Sequence, residues 1–508
     1  MNRMFFWGGW ISRQLPLLLV VISTSTLSAQ VLTTFPTTPF VTGTTTSQPL
    51  AVGVLADGEE TGDPAAAAGR QNAENAGLVA DAQQAFQPVF AWGETTNSAS
   101  SPGKPKLPSI TLSGVFQVDG VMFNQDSASH QAYGLMENGA DFRRARLGAK
   151  GSVTDAMDYF LQMDFAFFGR PTFTDLWVDF KDATPWGTIR VGQWKQPFGL
   201  ESATSFRYTT MMERSSMFQA FAPFRHIGIG LYDHSADLNS TWELSYFRTG
   251  QDQFGGSLSN TGGNGLAGRL THLLWYDGDQ GENYLHIGGG YYLNAPPRQR
   301  TRFRAIPELY VGEFALPSGE PIGTSGQTVP DVANGTPCLV DTGMLTGVSL
   351  TQTGGTELMW VRGPWSWQSE AIGTWVDGGS IGNGLLYGAY SQVGWFLTGE
   401  HRPYDRKAGA IDRVQPFNPV QRAQRGWGAW EVAARWSYLD LTDEAIRGGQ
   451  MENATLGVNW YVNAYCKCVF NYVHSWSNSR PLRNGAFIGD EFIRSETNGF
   501  GLRCQVDF

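Results

Sequence analysis

Arg144, Arg146 and Lys150 recur at even spacing in the stretch FRRARLGAKG, with Ala145, Leu147 and Ala149 at the odd positions. In an extended chain successive side chains point to opposite faces. The cations therefore share one face and the small or apolar residues share the other. Arg190, set between Ile189 and Val191, obeys the same rule, and Arg269 and Arg435 fall on the matching parity of their own alternating stretches. Rows of guanidinium and ammonium groups favour anions, because a fixed fork of N–H donors replaces part of an anion's lost hydration.

More cations gather between residues 195 and 225: Lys195, Arg207, Arg214 and Arg225, with Glu201 and Glu213 among them. The densest basic run is PPRQRTRFRAIPEL. If extended, it puts Arg298, Arg300, Arg302 and Arg304 on one face. Two readings stand for this run: a mouth that draws anions in by electrostatic steering, or an outer loop that binds acidic surface polymers. Acids are interleaved with the bases. Asp158, Asp164, Asp175 and Asp179 fall on the same inward parity, so a lining of mixed sign leaves the preferred solute open.

Catalytic chemistry finds little support. His401 and His474 have no Ser or Asp partner in a nucleophile motif. DGDQGE, with Asp277, Asp279 and Glu282, lacks the full calcium-loop pattern and is expected to be a polar turn. GNGLAG lacks the strand-to-helix context of a phosphate cradle. No enzyme activity, cofactor or metal is expected.

The elements that must position these residues are strands. From Ile110 onward the apolar pattern has period two, as in YFLQMDF and TLGVNWYV. Sixteen strands are expected, at about 108–123, 140–152, 157–166, 173–182, 188–194, 226–233, 241–248, 267–276, 284–293, 356–362, 366–377, 385–399, 427–439, 453–462, 465–475 and 495–508. Short connections such as VTDA, ATPWG, GPW and NA follow the even strands. Longer ones, 195–225, 294–355 and 476–494, follow odd strands. An even strand count with short turns on one side is the pattern of an antiparallel transmembrane β-barrel. The segment 400–426 breaks that rule by being long on the short-turn side. A soluble sandwich or propeller is the competing architecture, and no fixed-period repeat supports a propeller.

Residues 1–29 have basic Arg3 and Arg13, an apolar run from Leu15 to Ile22, and small residues before Ala29. They are expected to be a cleaved signal peptide. Residues 30–107 read as a low-complexity extension with a short helix after Asp63, and 108–508 as the barrel. The formal charge is −10, and losing Arg3 and Arg13 would make it −12, which argues against a nucleic-acid partner.

At FRRARLGAKG and IRVGQWKQPFGLESATSFRYTTMMERSSMFQAFAPFRHIGIGL the chain resembles the phosphate-selective porin family of the O and P type. The resemblance continues through TELMWVRGPWSWQSE, FLTGEHRPYDRKAGAIDRVQPFNP, GAWEVAARWSYLDL and LGVNWYVN, spanning about Ile110 to Phe508. It implies a trimeric bacterial outer-membrane channel of sixteen strands. It also implies loops folded into the lumen and a path for phosphate and other small anions lined by Arg and Lys. On the residues alone, 195–225 is equally an inward fold or an external flap; the resemblance favours the former, as the constriction. A plugged barrel tethered to the envelope is the other functional reading, and a less selective small-solute pore a third.

The chain ends GFGLRCQVDF. Phe500, Leu502, Cys504, Val506 and Phe508 form one row, expected to face outer-membrane lipid. The terminal Phe resembles the sorting signal read by the barrel-assembly machinery. Antiparallel pairing about residue 485 sets Cys466 against Cys504, with Cys468 there instead if the register slips by two. Either pair would be placed for a disulfide, or would simply be apolar lipid-facing side chains.

Overall fold

The computed structural model describes residues 107–508, apart from 167–170, 251–261, 279, 313–334, 379–381, 421–425 and 484–485. The expected signal peptide and all but the last residue of the extension lie outside these residues.

Sixteen strands close into one antiparallel barrel. They are β1 Thr111–Gln125, β2 Gly139–Thr154, β3 Met157–Asp164, β4 Thr172–Thr184, β5 Gly187–Lys195, β6 Arg225–His234, β7 Ser240–Thr249, β8 Gly263–Asp277, β9 Asn283–Ala295, β10 Val348–Arg362, β11 Trp365–Gly378, β12 Gly382–Phe396, β13 Ala429–Asp443, β14 Ile446–Asn463, β15 Cys466–Ser479 and β16 Ile493–Asp507. Each coincides with an expected strand. The ends that differ most are the starts of β10 and β14, which reach eight and seven residues further than the pattern showed. Those extra stretches, VSLTQTGG and IRGGQME, lie at the long-loop end. There a strand no longer faces hydrocarbon, so the apolar alternation fades.

Outward rows are apolar and exposed, among them Leu112, Phe116 and Leu147, and the row Phe500, Leu502, Val506 and Phe508. Aromatic rings mark both edges of this band. Near the short turns, Trp365 stacks on Trp395 with centroids 5.0 Å apart, and Trp430 on Trp460 at 5.5 Å. Towards the other end Tyr387 lies against Tyr438 and Tyr472 against Phe500. Two aromatic girdles about an apolar belt are the outer-membrane barrel pattern. The seam closes between β1 and β16, where Val115 pairs with Asp507 and Val121 with Gly501.

Several connections carry buried groups into the interior, among them 126–138 after β1, with Ala132, Tyr133 and Met136. After β5 comes 196–224, with short helices α1 (Leu200–Ala203) and α2 (Ser216–Phe221). Its Phe198, Leu200, Met217, Phe218 and Phe221 are buried. After β9, residues 296–312 and 335–347 bring in Ile306, Leu309, Leu339 and Val340. Residues 400–420 enter from the short-turn end and bury Tyr404, Ile411 and Val414.

Candidate permeation path

A bulge in β2 decides the first contacts of the lumen. Gln117 of β1 faces Arg144, but the next residue, Val118, faces Phe142, so Arg143 is the extra residue. A bulge turns two successive side chains towards one side. Phe142 and Leu147 point out, while Arg143, Arg144 and Arg146 point in.

The inward aspartates each hold a cation. Arg146 Nε donates to Asp164 Oδ2 at 2.6 Å, directly across β2 and β3. Arg190 grips Asp179 with two bonds of 2.7 Å and stacks 3.7 Å over Trp177. Arg225 meets Asp175 at 2.9 Å, and Lys181 meets Asp158 at 3.1 Å. Arg269 bridges Glu357 at 3.0 Å and the Gly409 carbonyl at 2.7 Å. Arg435 meets Glu201 at 3.2 Å and pairs with Glu308. Lys195 donates to the carbonyls of Ala203 and Thr204, each at 3.2 Å, and Arg214 to those of Glu201 and Thr204 at 2.7 and 2.9 Å. Lys150 keeps the inward parity of β2 but is exposed near the short-turn end.

Arg144 differs. Its Nη1 donates to Gln117 Oε1 at 2.6 Å, and it forms no ion pair among the described residues. Its guanidinium lies 4.4 Å from the centre of the Phe206 ring, which Arg146 approaches at 4.6 Å and Arg207 at 5.1 Å. The chain around Phe206 is held in place from the neighbouring wall, by the strands just across the seam from β1. Asn459 of β14 donates to the Thr210 carbonyl at 2.9 Å, Lys467 of β15 to Thr209 at 3.0 Å, and Gln505 of β16 to Arg207 at 3.2 Å. Asn471 accepts from the Met212 amide at 2.7 Å, and Arg503 donates to the Met212 carbonyl. Glu213 completes the anchor, bonded to Arg143 at 2.8 and 2.9 Å and to Arg503 at 2.6 Å. Burial pushes the Glu213 carboxyl up, but Arg143, Arg503 and Arg144 together outweigh burial and hold it well below the usual range.

The segment from the short-turn end reaches the same place. Arg402 pairs with Glu431 and donates to the Tyr208 carbonyl at 3.2 Å. Tyr404 Oη lies 2.6 Å from His286 Nδ1. Arg413 bonds to Tyr208 Oη at 3.2 Å and to Asp507. The Ile411 amide donates to Thr204 Oγ1 at 3.3 Å, so segments from the two ends touch in the interior.

A model of the phosphate-selective porin O and P family matches residues 116–508. The chain belongs to that family. It is 25% identical to Porin O of Pseudomonas aeruginosa over 417 residues, covering 76% of this chain and 87% of that one. An uncharacterized protein of Caulobacter vibrioides is 26% identical over 390 residues, covering 73% and 68%. A solved anion-selective porin from Comamonas acidovorans aligns over 79% of this chain and 99% of its own, at 12% identity and a TM-score of 0.48. Family and closed barrel together make this an outer-membrane porin.

Two expectations need correction in this porin. The basic run does not present four arginines together. Arg298 and Gln299 take positive φ and break the extended chain, and 300–301 and 304–305 pair with 345–346 and 340–341. Arg302 is thereby turned onto Asp341 at 2.6 Å and Arg304 is buried, leaving Arg298 and Arg300 exposed. The cysteine register is Cys468 against Cys504, and Cys466 faces Val506. The hairpin is centred one residue beyond the point assumed, and its loop carries a ladder of its own, Leu482–Arg483 with Ala486–Phe487.

Sequence reasoning missed Arg143, Lys467 and Arg503. Lys467 lies between two outward cysteines, and Arg503 is on the polar parity of the last strand, so both were readable. Arg143 was not, because no residue type announces the bulge.

Proposed function

We propose that this porin passively conducts small anions, phosphate among them, past Arg144, Arg146 and Arg207 at the Phe206 ring. The observation that carries the reading is a local excess of positive charge. Arg144, Arg146 and Arg207 converge there and Arg413 shares Asp507 with Arg207, while Asp164 and Asp507 are the carboxylates paired with these four cations. A permeating anion that exchanges water for guanidinium donors at this point loses less solvation than a cation would. Lys150, Arg190, Lys195, Arg214, Arg225, Arg269 and Arg435 then act mainly through the field of a lining whose charges are already largely engaged.

Reversal potentials in chloride and phosphate gradients across a planar bilayer test this. An anionic sign, with phosphate permeating, is expected; a cationic sign overturns it. The meeting of Ile411 with Thr204 supports a second reading, a closed structural barrel. Steady single-channel current rules that reading out, and its absence rules out the first.

Homotrimeric assembly is part of the proposal and is checked by mass measurement of the detergent-solubilised protein. So is removal of residues 1–29, for which the mature chain should begin at Gln30; a mature chain beginning at Met1 overturns it.

A further inference from the structure

We propose that Cys468 and Cys504 are joined by a disulfide on the lipid-facing side of the last hairpin. Both are on outward parity, Cys468 between Lys467 and Val469, Cys504 between Arg503 and Gln505, whose side chains are buried in the lumen. They face each other in the β15–β16 ladder, and their sulfurs lie 3.4 Å apart. The Asp507 amide donates to the Tyr465 carbonyl at 2.8 Å, which marks Tyr465 and Asp507 as a hydrogen-bonded pair. Alternation along the antiparallel ladder then makes Cys468 and Cys504 a non-hydrogen-bonded pair. In such pairs the Cα atoms come within about 4.5 Å, inside the range a disulfide spans.

The other thiols are not so placed. Cys466 faces Val506. Cys338 is in the connection after β9, packed with Ile306 and Leu482, where burial pushes its thiol up to about 12.

An outer-membrane chain crosses an oxidising periplasm, so the co-reactant is the disulfide of a periplasmic dithiol oxidase. One cysteine thiolate attacks that disulfide and forms a mixed disulfide. The second thiolate displaces the oxidase sulfur. One S–S bond forms in the porin and one breaks in the oxidase; two electrons and two protons end on the oxidase dithiol. The product ties β15 to β16, the strand that ends at Phe508 and closes the seam with β1.

The test uses the full-length protein in its outer membrane. Denatured membranes are alkylated with N-ethylmaleimide, reduced, and alkylated again with iodoacetamide before peptide mass spectrometry. Cys468 and Cys504 should carry the second label near-stoichiometrically, and Cys338 and Cys466 the first. The first label on Cys468 or Cys504, or a Cys466–Cys504 link, overturns the proposal. In C468S, Cys504 should switch to the first label; retention of the second shows a different partner and also overturns it.

Discussion

Gly114 and Phe508 exchange both backbone hydrogen bonds across the seam, 2.9 Å from the Gly114 amide and 3.1 Å back to its carbonyl. The terminal ring lies over the glycine, so that a methyl group at Gly114 would stand 2.3 Å from Phe508 Cζ. The absent side chain of the first strand is the seat of the last one.

Gly114→Ala should therefore displace the terminal ring and cost about 1 kcal/mol, the lower end of overpacking, because the ring rather than the backbone can yield. The readout is the temperature at which the folded form is lost in detergent. In a Phe508→Ala background the same substitution should cost almost nothing further. Equal costs in both backgrounds would show that the ring is not what the methyl meets. Deleting Phe508 should also lower outer-membrane yield; undiminished insertion would remove its role as a sorting signal.

Replacing Arg144 and Arg146 with Ala removes two fixed charges from the Phe206 cluster. Anion selectivity should fall while the barrel still folds, since lumen residues tune selectivity more than insertion. An unchanged reversal potential would detach these residues from the path.

Glu213→Gln should release the 196–224 segment from β2 and β16. Glu213 is the carboxylate that Arg143 pairs with, and Arg503 retains Asp119 at 2.6 Å. Removing one partner of a buried pair costs on the order of 3 kcal/mol. Added current noise from a loosened segment should accompany it, and a quiet, wild-type trace would argue against the anchor. The pH dependence follows from the sign of the shift. The folded carboxyl titrates below its unfolded value, about 4.3 for an ordinary Glu, so its contribution is complete above that value. It is lost only as pH falls through the lower, folded pKa. Wild-type traces should stay quiet as pH falls through 4, and noise that sets in near 4.3 would contradict the depressed pKa.

Asp179→Asn should make the channel more anion-selective by leaving Arg190 with a neutral partner in place of its bidentate carboxylate. A shift of reversal potential towards cations would show that Arg190 does not face the permeating ions.

The barrel was legible because a lipid-facing strand must alternate, and its alternation survives in sequence wherever hydrocarbon touches it. Arg144, Arg146, Arg190, Arg269 and Arg435 were placed inward by that parity alone, and so were Asp164, Asp175 and Asp179. Which cation meets which carboxylate was not legible. Arg435 meets Glu308 from a distant connection, and Arg269 meets the Gly409 carbonyl. Such partners are set by how the interior segments fold, and those segments carry no periodicity. Arg143 escaped for a different reason: one added residue in β2 reversed its face.

Thr204 and Ile411 belong to connections that leave the barrel wall at opposite ends and at distant strands. Their hydrogen bond spans the enclosed space, so it is available only after the wall has curled round. It acts as a latch set last, a chemical timestamp: a chain halted as an open sheet has both residues but not the bond between them.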